Sequence, residues 1–124
     1  MEHEEQPFEH ELKQEFEQKV ELKAFCLALQ VACEDISLLQ RFLWEITSFK
    51  ERKTLAGRWE AMRLLLEGNS QAKTARITGF STKTVNTSAR WATGPYTTHG
   101  CADVLERIKQ REQEATRGKT DAAE

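Results

Sequence analysis

Between Ser48 and Pro95 the chain is punctuated three times in the same way, and this constrains its fold more than any other feature. Ser48, followed three residues later by Glu51, has the form of a capping box. In that motif a Ser hydroxyl and a Glu carboxylate each take a backbone N–H that a helix start leaves free. Gly68, which tolerates a positive φ, supplies the stop. Ser70 then opens a shorter segment, "QAKTARIT", closed by Gly79, and Ser81 opens a third, "TKTVNTSARWAT", ended by Gly94-Pro95. The only other proline is Pro7, so the long middle of the chain is free to be helical.

The last two segments carry a finer pattern. Ala75, Gly79 four residues on and Val85 six further have the spacing of a helix-turn-helix over about 70–92. The small Ala lets two helices cross closely, the Gly takes the turn, and the Val packs the second helix on the first. In the helix begun at Ser48, Leu55, Trp59, Met62, Leu65 and Leu66 form an apolar stripe. Gly57 interrupts that helix at a cost of up to about 1 kcal/mol relative to Ala, which predicts a close packing partner there.

Upstream, Phe8, Leu12, Phe16 and Val20 recur every four residues on one helical face. The pattern thickens to "LKAFCLALQVAC", apolar nearly all round, and such a segment requires burial on several sides. In so short a chain a second subunit is the natural provider. "LLQRFLWEI" reads as a short helix begun at Ser37, and "ADVLERIKQREQEA" as a last helix through Val104, Leu105 and Ile108. The expected fold is all-α, with about six helices and no strand. One domain is expected over 8–115, between a flexible acidic N-terminus, 1–7, and a disordered tail, 116–124.

Charge points to a partner. The chain has 20 acids in 124 residues, yet 68–102 contains none, against the four bases Lys73, Arg76, Lys83 and Arg90. Residues 1–36 hold ten acids and three bases, so the net charge of −2 conceals a strong asymmetry. An acid-free basic segment suits a polyanion, because each base that neutralises a phosphate releases counterions and a carboxylate would oppose this. With Val85, Ala89 and Ala92 turned inward, the other face of the last segment presents Lys83, Asn86, Thr87 and Arg90, with Thr82 and Thr84 near its start. Those side chains suit base edges and phosphates. The acidic N-terminal run is expected to be a solvated helix face, with His3 and His10 solvated in it; the sharper alternative is that it repels non-target DNA or steers orientation.

Other chemistries find little support. No apolar run approaches membrane-spanning length and no secretion signal is visible, so a cytoplasmic location and no membrane partner are expected. Cys26, Cys33 and Cys101 match no familiar zinc spacing and read as reduced, buried, small hydrophobic residues, with no metal. "TGPYTTHG" reads as a connection with Tyr96 packed inward. Without a phosphate loop, paired carboxylates or a nucleophile elbow, an enzyme is not expected.

From about Leu38 to Trp91 the sequence resembles the Trp repressor family, including its YerC-like branch. The resemblance rests on Ser48 (or Thr47), Glu51-Arg52, Leu55, Arg58 and Leu65-Leu66-Glu67-Gly68, then Ser70-Gln71 and "TGFSTKTV". It implies an intertwined homodimer whose two recognition helices enter successive major grooves of double-stranded DNA. The apolar segment 20–33 would then be dimer interface, and the family's DNA contacts fall on Gln71, Thr82, Lys83, Thr84 and Asn86. With the basic and polar residues of the face, the expected DNA-binding set is Gln71, Lys73, Thr82, Lys83, Thr84, Asn86, Thr87 and Arg90.

The resemblance also implies an effector pocket at Ser48, Arg58, Thr87, Ser88 and Trp91. Tryptophan-binding members clamp their corepressor between two guanidiniums. Here Arg58 supplies one, but Thr87 and Ser88 stand in place of the second Arg and its Gly, and Trp91 replaces a pocket Ser. A clamp with one guanidinium argues against L-tryptophan as corepressor, so no cofactor is expected and the effector stays open. The sequence thus reads as a repressor binding a palindromic operator. A helical protein-interaction module, such as an adaptor on the transcription machinery, is the other reading.

Overall fold

Every cap and stop between Ser48 and Pro95 falls at a helix boundary in a computed structural model of the chain. It describes the backbone of residues 9–122 and the side chains through 118. The expected flexible N-terminus, 1–7, with His3, and also Phe8, lie outside the described residues. The elements are α1 (Glu9–Lys13), a π-helical turn (Gln14–Gln18), α2 (Val20–Ala32), α3 (Ile36–Ile46), α4 (Phe49–Leu66), α5 (Gln71–Thr78), α6 (Thr82–Thr93) and α7 (Gly100–Ala122). No strand occurs among the described residues.

Three boundaries differ from expectation. The backbone is extended at Lys19, φ −82° and ψ 114°, which separates the first turns from α2 and makes seven helices of the expected six. Val20 lies beyond that break and is exposed, so it does not continue the Leu12–Phe16 face. α3 begins one residue before Ser37 because Asp35, as good an N-cap as Ser, accepts the Ser37 N–H at 3.4 Å. α7 runs to Ala122, so 116–122 are helical where a disordered tail was expected. Ala, Glu, Gln, Lys and Arg dominate that end, and their helix propensity carries the helix past Gly118.

The start of α4 is the capping box itself. The Ser48 hydroxyl accepts the Glu51 N–H at 3.1 Å, and the Glu51 carboxylate accepts the Ser48 N–H at 2.8 Å. That backbone bond to Ser48 holds the Glu51 carboxyl below the ordinary carboxylate range. A carboxyl whose pKa is lowered by folding stabilises the fold above its unfolded pKa, and the effect is lost as pH falls through the folded value. Thermal melts from roughly pH 6 to pH 3 should therefore show a steeper loss for the native chain than for Glu51→Gln, whose cap carries no titrating proton.

The chain divides into two compact units, Met1–Leu55 and Ala56–Glu124, with the division inside α4. In the first, the Phe25 and Phe42 rings stack 6.3 Å apart between α2 and α3. Arg52 reaches back from the first turn of α4 to the end of α3. Its guanidinium donates to the carbonyl of Thr47 at 2.6 Å and that of Trp44 at 3.3 Å, and lies 4.5 Å over the Trp44 ring. Carbonyls that a helix end leaves open are thereby satisfied. Ala24, Leu27, Ala28, Val31, Ala32, Leu38 and Phe42 line an apolar groove of about 430 Å³.

In the second unit the buried side chains are Ala61, Leu64 and Leu65 of α4, Thr74 of α5, Val85, Ser88 and Ala92 of α6, and Leu105 of α7. Of the α4 stripe read from sequence, Leu65 is buried, Trp59, Met62 and Leu66 are partly buried, and Leu55, in the first unit, is exposed. Val104 and Ile108 are likewise exposed on α7, which buries Leu105. Thr74 is fully buried without penalty, because its hydroxyl donates to the Ser70 carbonyl at 2.9 Å.

Candidate nucleic-acid interface

The helix-turn-helix is held by its own short-range chemistry. Ser70 accepts the Lys73 N–H at 3.1 Å and begins α5. Gly79, at φ 76°, closes it by donating its N–H to the Ala75 carbonyl at 2.9 Å. A positive φ is strained for any residue with a Cβ, so the turn depends on this glycine. The Thr78 hydroxyl accepts the Phe80 N–H at 3.3 Å, and Ser81 begins α6 by accepting the Thr84 N–H at 3.1 Å. Val85 then locks α6 in place with 0% of its surface exposed.

All eight residues expected to meet DNA are exposed. Gln71 and Lys73 lie on the first turn of α5, and Thr82, Lys83, Thr84, Asn86, Thr87 and Arg90 cover the outward face of α6. Arg76, on the last turn of α5, is exposed as well and adds a fourth basic side chain to this segment. None of Lys73, Arg76, Lys83 and Arg90 has an ion-pair partner among the described residues. Arg63 on α4 shows the contrast, bonding Glu60 through one nitrogen at 3.1 Å and Glu67 through another at 2.7 Å. The side-chain bond from Arg63 holds Glu60 below the ordinary carboxylate range. Arg63 is thus matched by Glu60 and Glu67, whereas the four bases of α5 and α6 are left for something outside. The positive end of the α6 dipole adds to their charge at Thr82–Thr84.

Of the residues of the expected effector pocket, Ser48 belongs to the first unit and Arg58, Thr87, Ser88 and Trp91 to the second. The Ser48 hydroxyl is engaged in the cap of α4, in the first unit. Arg58 is exposed. Ser88 faces the core beside Val85 and Ala92, at 8% exposure. Thr87 and Trp91 line a cavity of about 220 Å³, but with Arg90 and Tyr96 in place of Arg58 and Ser88. Tyr96 does not pack inward as the sequence suggested. It is 63% exposed and Trp91 58%, since Val85, Ser88 and Ala92 already occupy the inner face of α6.

In the single chain Cys26 and Cys33 are exposed, because α2 commits mainly Ala32 to burial there, while Cys101 is partly buried. Among the described residues no group of three or more His, Cys, Asp or Glu is placed to hold a metal. No described helix is long and apolar enough to cross a membrane.

Sequence reasoning missed three contributors. Thr74 reads as a surface residue, and nothing in the sequence shows that a helix carbonyl satisfies it. Arg52 stands in the "ER" pair that carried the resemblance, but its grip on the α3 end depends on how the chain folds back. Phe80 was signalled indirectly by Gly57. A Cβ built on Gly57 would meet the Phe80 ring at 2.6 Å, so this ring is the close partner that the helical glycine predicted.

Fold and face together define an all-helical protein built round a helix-turn-helix with an uncompensated basic surface. Residues 20–110 match the model of the family described as Trp repressor protein. The chain belongs to the Trp repressor family, a family of DNA-binding transcription regulators. No curated protein and no solved structure matches it.

Proposed function

We propose that the chain is a transcriptional repressor that binds a palindromic operator as a homodimer, reading the major groove with α6 while the first turn of α5 holds the phosphate backbone. The observation that carries this reading is the exposed face of α5 and α6, with four bases, no acid and no ion pair among the described residues. Family membership supports the same reading. The dimer is supported by the groove on α2 and α3, where Leu27 is 61% and Val31 47% exposed, apolar surface that a second copy would cover. L-tryptophan has no place in this reading, since Arg58 stands without the second guanidinium of the clamp.

Selection of bound sequences from a random duplex pool, with and without L-tryptophan, tests it. An enriched palindrome with half-sites about one helical turn apart is expected in both conditions. Enrichment only with L-tryptophan would overturn the assignment of Thr87, Ser88 and Trp91. No enrichment from folded protein would point to a protein-interaction module instead. Lys83→Ala and Asn86→Ala are each expected to cost about 1–3 kcal/mol on the selected site and to relax preference at one base pair, measured by competition binding.

A further inference from the structure

We propose that Phe80 and Gly57 form a positioning pair that sets the angle at which α6 presents Thr82, Lys83 and Thr84. The proposal rests on the DNA-reading role of α6 and adds a determinant outside the reading face. Phe80 is held at the backbone from both sides. Gly79 before it is fixed at φ 76°, its own N–H is taken by the Thr78 hydroxyl at 3.3 Å, and Ser81 after it is the cap of α6. Its ring ends against α4. The three nearest neighbours of a Cβ at Gly57 would all be atoms of this ring, Cζ at 2.6 Å, Cε1 at 3.3 Å and Cε2 at 3.4 Å.

Glycine thus leaves a notch in α4 that the ring fills. The notch is part of a fixed wall, because Ala61, Leu64 and Leu65 of the same helix are buried a turn or two further on. The base-facing residues begin two positions after Phe80. Hydrogen bonds to base edges weaken steeply when distance or angle departs from a narrow range. Phosphate attraction is long-ranged and tolerates a small tilt. A methyl group in the notch therefore disturbs reading and leaves charge unchanged.

The test uses the full chain as Gly57→Ala, Phe80→Leu and the double variant, each compared with the native protein. Affinities for the selected operator and for a random duplex are measured at one fixed salt, alongside thermal melts by circular dichroism. Gly57→Ala is expected to lose roughly tenfold in operator affinity, the size of one lost base contact, with random-duplex affinity within about twofold. Phe80→Leu, which leaves a gap at the notch, is expected to lower the operator-to-random ratio too. In the double variant the methyl group added to α4 fills the gap left by the smaller side chain, and most of the ratio should be recovered.

The proposal is overturned if the ring swings aside and Gly57→Ala binds the operator like the native chain. It is overturned equally if both affinities fall together, or if the two single losses simply add. Should Gly57→Ala fail to fold, Phe80→Leu carries the test, and an unchanged ratio there refutes the pair. A native protein with no operator preference would sink the reading of α6 itself, a failure visible before any variant is made.

Discussion

Raising salt from 50 to 200 mM is expected to lower operator affinity by about 10³- to 10⁵-fold. Each protomer places Lys73, Arg76, Lys83 and Arg90 on the exposed segment, with no acid in 68–102. If a dimer brings all eight to phosphates, the slope of log affinity against log salt is about −7. Lys73→Ala should make the slope shallower by about 2, one phosphate contact per protomer, and leave sequence preference intact. Fluorescence anisotropy on a labelled operator across a salt series gives both values. A slope near zero would remove the phosphate contacts from the proposal and favour a protein partner.

Val85→Asp is expected to abolish the folded helix-turn-helix. Val85 is fully buried where α6 packs, beside Ser88 and Ala92, and no base among the described residues pairs with a group there. A buried, unpaired carboxylate costs several kcal/mol, a large fraction of the stability of a small domain. Val85→Ala should do less. It removes two methyl groups worth roughly 1.6 kcal/mol in transfer, and the cavity brings the total to about 2–3 kcal/mol. That corresponds to a fall in Tm of roughly 10 °C, with binding retained in the cold. Circular dichroism melts distinguish the two variants, and a Val85→Asp protein with native helicity and a native melt would contradict the packing.

The cysteines show what pattern reading leaves undivided between one chain and two. Cys26 and Cys33 were expected inside because the segment round them is apolar on nearly every side, and within the single chain both are exposed. Within the chain α2 meets α3 and the π-helical turn before it, and the composition of a segment does not say how many sides its own chain can cover. The acidic first turns fail for a related reason. A four-residue repeat places Leu12 and Phe16 on one face, but it does not reveal the extended residue at Lys19 that ends the run.

What the sequence determined by itself was local. The capping box at Ser48 and Glu51, the caps at Ser70 and Ser81, the left-handed glycines at 68 and 79 and the stop at Gly94-Pro95 all sit where their residue types placed them. Each is settled by hydrogen bonds or steric limits within about five residues, so the order of the chain is enough to read it. The exposed basic face followed from the same order once Val85 fixed which side of α6 turns inward. What the tertiary structure decided was the identity of contacts between distant residues. It chose Phe80 as the occupant of the Gly57 notch, buried Thr74 and Ser88, and left Trp91 and Tyr96 in solvent. Packing depends on which surfaces meet once the helices have formed, and two sequences with the same caps can bring different surfaces together.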